Sequence, residues 1–342
     1  MTELTLEDIA KRAGVSRSTV SRVVNDSPNV SADVRKRVQK VIQSTGYQPN
    51  IAARSLASQR SNMIGLVLPR SVSSFFTDPF FPHLTQGIAF GCNNNDLTLS
   101  LFLVGNKEDE EKIYPRISRR GLLDGVLVQS AQSDDKLIEH LIKSSLPTVI
   151  IGRPFTTENV NYIDVDNIQA AHKATQYLIS LGYQRIATIT GTEGSTVTED
   201  RLAGYKLALS AAGRDLDEAL IVKGSFTENS GYAAMVKLLP QHPDAVFAAS
   251  DNMASGAMRA IFDAGLRVPE DVAIIGFDDL PLSAMTKVKL TTMHQPITRF
   301  GVQAVEMLQD VIINGPKPAR HIILDTELII RESCGTKKTS WQ

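Results

Sequence analysis

The sequence predicts an all-α helix-turn-helix headpiece followed by an α/β core of two subdomains, each built on a doubly wound parallel sheet. In residues 5–46, apolar residues recur at helical spacing between capping residues and glycines. From Met63 onward, short apolar runs alternate with helical stretches, which is typical of parallel sheets. The same rhythm restarts at Arg185, and this restart predicts two halves.

Length and composition limit the classes of protein to consider. A chain of 342 residues exceeds one comfortable core, so we expect a small module attached to a larger one. The hydrophobic share of 42% and the charged share of 21% are typical of a soluble globular protein, and no apolar run is long enough to span a membrane. The first ten residues lack a secretory pattern. We therefore expect a cytoplasmic protein without a membrane partner.

Charge is distributed unevenly along the chain. Residues 1–60 carry ten Lys and Arg against five Asp and Glu, whereas the remaining residues carry 26 against 32. A basic module can displace counterions from phosphates, and an acidic body resists indiscriminate adhesion to nucleic acid. Composition fits nucleic-acid binding and ordinary solvated surface charge about equally well, so the positions of the charges have to decide.

Local signals place a first helix at residues 6–13. Thr5 and Asp8 form a capping-box pattern at its start, and Gly14 can adopt the left-handed conformation that ends it. Ser16 can then cap a second helix, whose valines point inward. The polar side chains left on the outer surface near its N terminus are Arg17, Ser18, Ser21 and Arg22.

A third helix is predicted between Ser31, as its cap, and Gly46, which ends it. Pro49 then breaks the chain, and Asn50 can cap a short segment, Ile51 to Ser58. A helix this short is marginal in water, so it should fold only when a partner helix or DNA stabilises it. The segment is therefore a candidate hinge.

The body contains the apolar runs expected of buried strands. In such sheets a ligand binds beyond the carboxyl ends of the strands, so the residues just after each run are candidates for a site. Aromatic rings together with carboxylates and guanidinium groups fit a polar, uncharged metabolite. The runs are 64–68, 98–104, 125–128, 148–151, 185–190, 245–249 and 272–277, and the candidates after them are 76–81, Arg153, Arg201, Asp251 and 278–279.

The headpiece resembles that of lactose- and galactose-repressor-type (LacI/GalR) regulators. The resemblance rests on the ordered motif at residues 5–10, 13–16 and 18–25. It implies that Arg17 and Ser18 read bases in the major groove and that Leu56 enters the minor groove of a pseudo-palindromic operator. The alternative is a helical hairpin in which Leu56 is a core contact. The positions that the resemblance assigns to DNA are Ser16, Arg17, Ser18, Thr19, Ser21, Arg22, Asn25, Asn50, Ala53, Arg54 and Leu56.

The body is also similar to this family over nearly its whole length, including residues 152–154, 165–167, 201–205, 250–254 and 276–279. The resemblance implies a periplasmic-binding-protein-like core with a small-molecule effector in its cleft. Val197 stands where relatives often have a hydroxyl, which leaves the particular sugar or purine open. Asp251 and Asp279 fit structural caps or ion pairs as well as ligand contacts. The predicted effector-binding residues are Phe76, Phe80, Arg153, Arg201, Ser250, Asp251, Asp278 and Gln295.

The predicted domain boundaries follow from these assignments. Residues 1–49 form the headpiece, 50–60 the hinge helix, 61–335 the effector-binding and dimerisation core, and 336–342 a tail. Within the core, the first subdomain takes about 61–162 plus 292–321. The second takes about 163–291 plus 322–335.

Several motifs are absent from the sequence. No HExxH pair, Cys/His cluster, GxGxxG, Walker motif or GxSxG occurs, so we expect neither an enzyme nor a metal or other cofactor. Cys92 and Cys334 lack CxxC spacing and fit thiols in a reducing compartment. No apolar heptad follows Ile330, so a homodimer is the simpler assembly. We expect a DNA-binding regulator that represses transcription and binds a carbohydrate effector. The alternative is a solute receptor without a DNA role.

Overall fold

The computed structural model describes residues 4–24, 27–47, 60–68, 72–119, 121–129, 137–155, 159–315 and 318–335. The chain divides into two compact units, residues 1–61 and 62–342. Most of the predicted hinge and the whole predicted tail lie outside the described residues. The two units are described separately below.

The first unit contains three described helices, α1 (Leu6–Ala13), α2 (Arg17–Val24) and α3 (Ala32–Thr45). The predicted capping box is confirmed, because the hydroxyl of Thr5 accepts from the Asp8 N–H and the Asp8 carboxylate accepts from the Thr5 N–H at 2.9 Å. Gly14 ends α1 at φ 62°, in the left-handed region as predicted. Local capping therefore sets both ends of the first helix.

A small apolar core holds these helices together. Ile9, Val20 and Val38 contribute one fully buried side chain from each helix. Ser16 accepts from the Thr19 N–H, as expected of a cap, at 3.2 Å. Ser31 occupies the N-cap position of α3, but its hydroxyl makes no capping hydrogen bond, because the residue is exposed and water can serve the free N–H groups instead.

The second unit begins with the elements β1 (Met63–Leu68), α4 (Val72–Thr77), α5 (Phe80–Asn94), β2 (Thr98–Leu103), α6 (Lys107–Ile117), β3 (Gly125–Gln129), α7 (Leu137–Ser144), β4 (Thr148–Ile151) and β5 (Asn161–Val165). These five strands and β11 (His321–Leu324) form the first sheet. Its strand order is β11-β5-β4-β3-β1-β2, and all its described pairings are parallel.

The second sheet has the order β12-β10-β9-β8-β6-β7, and β12 is antiparallel to β10 whereas the other described pairs are parallel. The remaining elements are α8 (Asn167–Ser180), β6 (Ile186–Thr190), α9 (Thr196–Ala211), β7 (Ile221–Lys223), α10 (Glu228–Leu238), β8 (Ala245–Ala248), α11 (Asp251–Asp263), β9 (Ala273–Asp278), β10 (Thr291–His294), α12 (Ile297–Asn314), β11 (His321–Leu324) and β12 (Glu327–Ile329).

The chain passes between the two sheets three times, after Val165, after His294 and after Leu324. The sequence analysis placed these crossings at about residues 162, 291 and 321. Strand pairing sets where each strand ends, because Val165 still pairs with Leu324 in the first sheet and His294 with Asp278 in the second. We call the halves built on these sheets the first and second subdomains.

No helix in the described part of the chain combines the length and apolarity needed to cross a membrane. The helices instead lie close against the sheets and one another. Gly231 of α10 and Gly256 of α11 make the closest approach, since a Cβ at Gly231 would lie 2.1 Å from the Met253 carbonyl oxygen and one at Gly256 would lie 1.9 Å from that of Glu228. Both neighbours are backbone atoms, which cannot move aside cheaply.

Gly231→Ala is therefore expected to lower the free energy of unfolding by about 1–3 kcal/mol, although alanine favours helix formation over glycine. Urea denaturation of the full chain measures this change. Lys237→Ala, at an exposed position of the same helix, is the matched control and should change stability by no more than about 0.5 kcal/mol. Equal stabilities of the two variants would contradict the close packing.

Candidate functional site

A cleft of about 590 Å³, including its solvent-open part, lies between the two subdomains. The carboxyl ends of the strands and the start of α9 border it, as the sequence predicted for this type of sheet. Four of the predicted effector residues line it. These are Phe80, Arg201, Asp278 and Gln295.

Arg201 is the buried cation of the cleft and is held from several sides. Its Nε donates to the side-chain oxygen of Asn167 at 2.9 Å, and its Nη1 donates to the Ala249 carbonyl. The guanidinium carbon lies 3.5 Å from the centre of the Phe277 ring. Burial lowers the pKa of Arg201, while the nearby Asp278 carboxylate raises it. These contacts fix the guanidinium before any ligand arrives.

Asp278 faces Arg201 and ends β9. Its Oδ1 lies 3.8 Å from Nη1 of Arg201 and accepts from Nε2 of Gln295 at 2.5 Å. Burial raises the pKa of the Asp278 carboxyl, and Arg201 opposes this rise. The backbone of Asp278 has φ 119°, a conformation that residues other than glycine adopt rarely and mostly at functional sites.

Asp164 of β5 brings a second carboxylate from the first subdomain. It accepts from the N–H groups of Arg153 and Val165 at 2.7 and 2.8 Å and from the Asn167 amide at 3.2 Å. Burial raises the pKa of Asp164 to about 6, despite these hydrogen bonds to its ionised form. Asp164 and Asp278 therefore give the cleft acceptors on both of its sides.

Phe226 supplies an aromatic face from the second subdomain. Its backbone has φ 61°, and its ring lies over Gly191, where a Cβ would come within 2.0 Å of the ring. The Asn252 side-chain amide donates to the Phe226 carbonyl at 3.0 Å. A left-handed conformation costs free energy at a phenylalanine, and such strain concentrates at ligand sites.

Two further lining groups have no hydrogen-bond partner among the residues that the structure describes. They are the hydroxyl of Ser195, which is 1% exposed, and the side-chain oxygen of Gln129, which is 9% exposed. A buried polar group without a partner carries a desolvation cost that a bound hydroxyl would remove. Both atoms therefore suit a ligand rich in hydroxyl groups.

Four predicted effector residues do not line the cleft. Phe76 is 71% exposed, and its ring meets Phe75 edge-on, 5.0 Å between centres. Ser250 caps α11 by accepting from the Met253 N–H. Asp251 is fully buried and accepts from the Leu280 N–H and the Thr292 hydroxyl. Arg153 pairs with an aspartate.

For Asp279, the structure favours the ion-pair alternative. Its carboxylate lies 2.6 Å from Nη2 of Arg331 and 3.0 Å from Nδ1 of His294. In the described residues, no group of three or more His, Cys, Asp or Glu side chains could hold a metal ion. Among the described residues, the cleft offers hydrogen-bond acceptors, one fixed cation and phenylalanine rings.

Sequence reasoning missed part of the cleft lining. Gln129 directly follows the predicted strand 125–128, so the rule that located Arg153 also points to it. Asp164 belongs to a strand that the sequence analysis did not identify. The functional side chains that were missed are Gln129, Asp164, Asn167, Ser195 and Phe226. Asp78 and Phe81 line the cleft within the predicted segment 76–81, and Val197, the noted departure from the family, lines it as well.

In the first unit, α2 exposes a polar face at its N-terminal end. Arg17, Ser18 and Arg22 are exposed. The hydroxyl of Ser16 lies 2.8 Å from that of Ser18 and 2.9 Å from that of Thr19. Ser21 is half-buried. The remaining residues predicted to contact DNA, which are Asn25, Asn50, Ala53, Arg54 and Leu56, lie outside the described residues.

Comparison with known protein families matches both units. Residues 5–50 match the family described as "Bacterial regulatory proteins, lacI family", and residues 175–334 match "Periplasmic binding protein-like domain". The HTH-type transcriptional regulator CelR of Thermobifida fusca is 38% identical over 333 residues, which are 96% of this chain and 98% of the relative.

Two solved structures show the same fold over nearly the whole chain. A complex of the transcriptional regulator CelR with cellobiose has a TM-score of 0.77 at 37% identity and covers 96% of this chain and 99% of that one. The Lac repressor dimer bound to operator and the anti-inducer ONPF has a TM-score of 0.86 at 26% identity and covers 98% and 100%.

A helix-turn-helix unit joined to a periplasmic-binding-protein-like core defines a DNA-binding transcriptional regulator with a small-molecule sensor. The chain belongs to the lacI family of bacterial regulatory proteins. The family resemblance and the fold class predicted from the sequence are thereby confirmed.

The raised pKa of Asp164 predicts how stability depends on pH. The ordinary value for this carboxyl is 3.8, against about 6 in the folded chain, so between these pH values the folded state binds more protons than the unfolded state. The contribution of Asp164 to stability is therefore greatest at low pH and is lost as pH rises through 6.

Asp164→Asn should remove this pH dependence. The difference in unfolding free energy between the original protein and the variant is expected to fall by about 2 kcal/mol between pH 4 and pH 7. Urea denaturation at a series of pH values measures it, with Asp215→Asn at an exposed position as the control. If the unfolding free energies of the original protein and Asp164→Asn change with pH in parallel, burial does not raise the pKa of Asp164.

Proposed function

We propose that this regulator binds a pseudo-palindromic operator as a homodimer and represses transcription, and that a sugar in the cleft changes its operator affinity. The observation that carries the proposal is the presence, in one chain, of an exposed polar face on α2 and a cleft lined by buried polar side chains and phenylalanine rings. In this proposal the protein binds DNA and a sugar and catalyses no reaction. We place the protein in the cytoplasm, bound to the nucleoid.

The N-terminal end of α2 is the proposed reader of DNA bases. Arg17 can form two hydrogen bonds to one guanine, and the hydroxyls of Ser16, Ser18 and Thr19 can contact either base edges or phosphates. The ion pair of Arg17 with Glu7 does not compete strongly, because its atoms are 3.6 Å apart and both side chains are about two-thirds exposed. Ser21, Arg22 and Asn25 extend the proposed contacts along the same helix and past its end.

A homodimer follows from operator symmetry. Two recognition helices on half-sites about one helical turn apart read a palindrome, which one headpiece cannot do. The Lac repressor, whose solved structure is a dimer on its operator, supports this assembly for the present chain.

Residues 50–60, at the C-terminal end of the first unit, are proposed to form the hinge. Asn50, Ala53, Arg54 and Leu56 would contact DNA there, with Leu56 entering the minor groove. A short helix gains order when DNA and the partner's copy stabilise it. Motion of the subdomains can then alter how readily the two hinge segments pair.

The proposed effector is an uncharged sugar of up to disaccharide size. The carboxylates of Asp164 and Asp278, the amides of Gln129 and Gln295 and the hydroxyl of Ser195 can accept or donate to sugar hydroxyls, and phenylalanine rings can cover its apolar faces. The cleft volume is typical of small-molecule sites. The cellobiose complex of CelR, at 37% identity, supports a β-linked disaccharide as the first ligand to test.

Arg201, Asp278 and Gln295 are the proposed direct contacts, with Phe80 beside them. Ser250 and Asp251 are proposed to act one layer behind. Ser250 starts α11, and Asp251 ties that helix to the Leu280 N–H and the Thr292 hydroxyl, so both keep β9 and its Asp278 in position. Phe76 is proposed to affect the effector only indirectly, through the segment 76–80 that positions Phe80.

Arg17→Ala is expected to weaken operator binding by about 1–3 kcal/mol, the usual loss for one bidentate base contact. Gel shifts with genomic fragments selected by the original protein measure the loss, and they should also show retention that falls steeply with salt. Arg119→Ala removes an equal charge at an exposed position of the second unit and is the control. If both variants bind DNA equally well, α2 is not the reader.

Asp278→Asn is expected to weaken cellobiose binding at least about tenfold, because the amide nitrogen cannot accept a hydrogen bond and no longer balances Arg201. Isothermal titration calorimetry gives the affinity, and gel shifts with added cellobiose give the response. Asp263→Asn, at an exposed position of the same subdomain, should leave both unchanged. If neither cellobiose nor another sugar binds the original protein, the carbohydrate proposal is wrong.

A further inference from the structure

Arg153 is the predicted effector residue whose observed contacts suggest a different role. Its Nε donates to Oδ2 of Asp200 at 2.9 Å, and its Nη2 donates to Oδ1 at 2.7 Å. The guanidinium therefore meets the carboxylate through two parallel hydrogen bonds, the strongest geometry for this kind of pair. The side chains are 34% and 12% exposed, so solvent screens the pair less than it screens a surface ion pair.

The two partners belong to different subdomains. Arg153 follows β4 of the first sheet, and Asp200 lies on α9, which connects β6 and β7 of the second sheet. We call Arg153 and Asp200 the cross-cleft pair. Its position means that the two subdomains cannot separate at this edge without breaking both hydrogen bonds.

The backbone of Arg153 is held at the same place. Its N–H donates to Oδ2 of Asp164 in its own subdomain at 2.7 Å, and its carbonyl accepts from the hydroxyl of Thr196 at 2.6 Å. Thr196 is fully buried at the start of α9, so this second hydrogen bond also joins the subdomains. The backbone that carries the Arg153 side chain is therefore fixed, and the side chain loses little conformational entropy when it forms the pair.

The cross-cleft pair borders the cleft without lining it. Gly152, next to Arg153, is a lining residue, as are Val197 and Arg201 on the helix that carries Asp200. The pair therefore connects the two walls of the cleft close to the side chains that are proposed to bind the effector. Asp200 occupies two of the five N–H donors of the guanidinium, so fewer of them are left for an effector.

We propose that the cross-cleft pair holds the subdomains closed and thereby positions the walls of the cleft for the effector. The proposal rests on the proposed function only in that a small molecule occupies this cleft. If the effector binds only the closed arrangement, its apparent affinity is proportional to the fraction of molecules that are closed. Losing the pair lowers that fraction and therefore weakens binding. Arg153 and Asp200 are then positioning residues, which set affinity without touching the ligand.

A distance measurement in the ligand-free protein tests closure directly. Spin labels at Ile142→Cys on α7 and Val236→Cys on α10 report the separation of the subdomains, since both positions are exposed and both native cysteines are buried. The labelled chain is diluted in unlabelled chain, so that each assembly carries one labelled copy at most. Arg153→Ala and Asp200→Asn should each lengthen and broaden the distance distribution.

The exchange of charges is the decisive variant. Arg153→Asp combined with Asp200→Arg should restore the original distribution, which a general loss of packing would not do. Arg267→Ala is the matched control, because Arg267 forms the same two-bond contact with Asp271, at 2.8 and 2.9 Å, entirely within the second subdomain. Distributions for Arg153→Ala and Asp200→Asn that match those of the original protein and Arg267→Ala would overturn the proposal.

Cellobiose titration adds the functional readout. Arg153→Ala and Asp200→Asn should raise the cellobiose Kd about tenfold, mostly through faster dissociation, and the charge exchange should recover part of the loss. A Kd within twofold of the original for both single variants would count against the positioning role. Failure of the original protein to bind cellobiose would contradict the proposed effector. The distance measurement would still show whether the cross-cleft pair holds the subdomains closed.

Discussion

The burial of one guanidinium group, that of Arg201, is the constraint on which the cleft depends. A cation without water needs partners on every side, and the chain supplies Asn167, the Ala249 carbonyl and the Phe277 ring behind it and Asp278 beside it. These partners belong to α8, β9 and the end of β8, so satisfying one side chain fixes three elements of the second subdomain. The carboxylates that surround it then define which molecules the cleft accepts.

The headpiece was largely predictable because its signals are local. Thr5, Asp8 and Gly14 fix the ends of α1 through contacts within a few residues, and the buried valines of α2 follow from helical spacing. The strands of the body were found where they are central or, like the edge strand β2, form a longer apolar run. The short strands β5, β7, β10, β11 and β12 were missed, since three to five residues at or near a sheet edge carry too weak a pattern to be recognised.

The site was only partly predictable, for a different physical reason. Arg201, Asp278 and Gln295 were found, and the rule about strand ends also led to Arg153. Position in the sequence cannot tell whether a side chain after a strand turns into the cleft or meets a partner across it, as Arg153 meets Asp200. Phe226 was missed because its placement depends on a left-handed backbone conformation over Gly191, which no periodicity reveals.

The path of the chain limits how members of this fold can exchange parts. The headpiece is one continuous segment, so a single junction near residue 61 transfers it whole to another core. Each subdomain, in contrast, is assembled from separated stretches, because the chain crosses after Val165, His294 and Leu324. A recombination event with one junction inside the core would build at least one sheet from the strands of two parents. One junction can therefore exchange the headpiece or the core as a whole, whereas neither subdomain of the core can be exchanged alone.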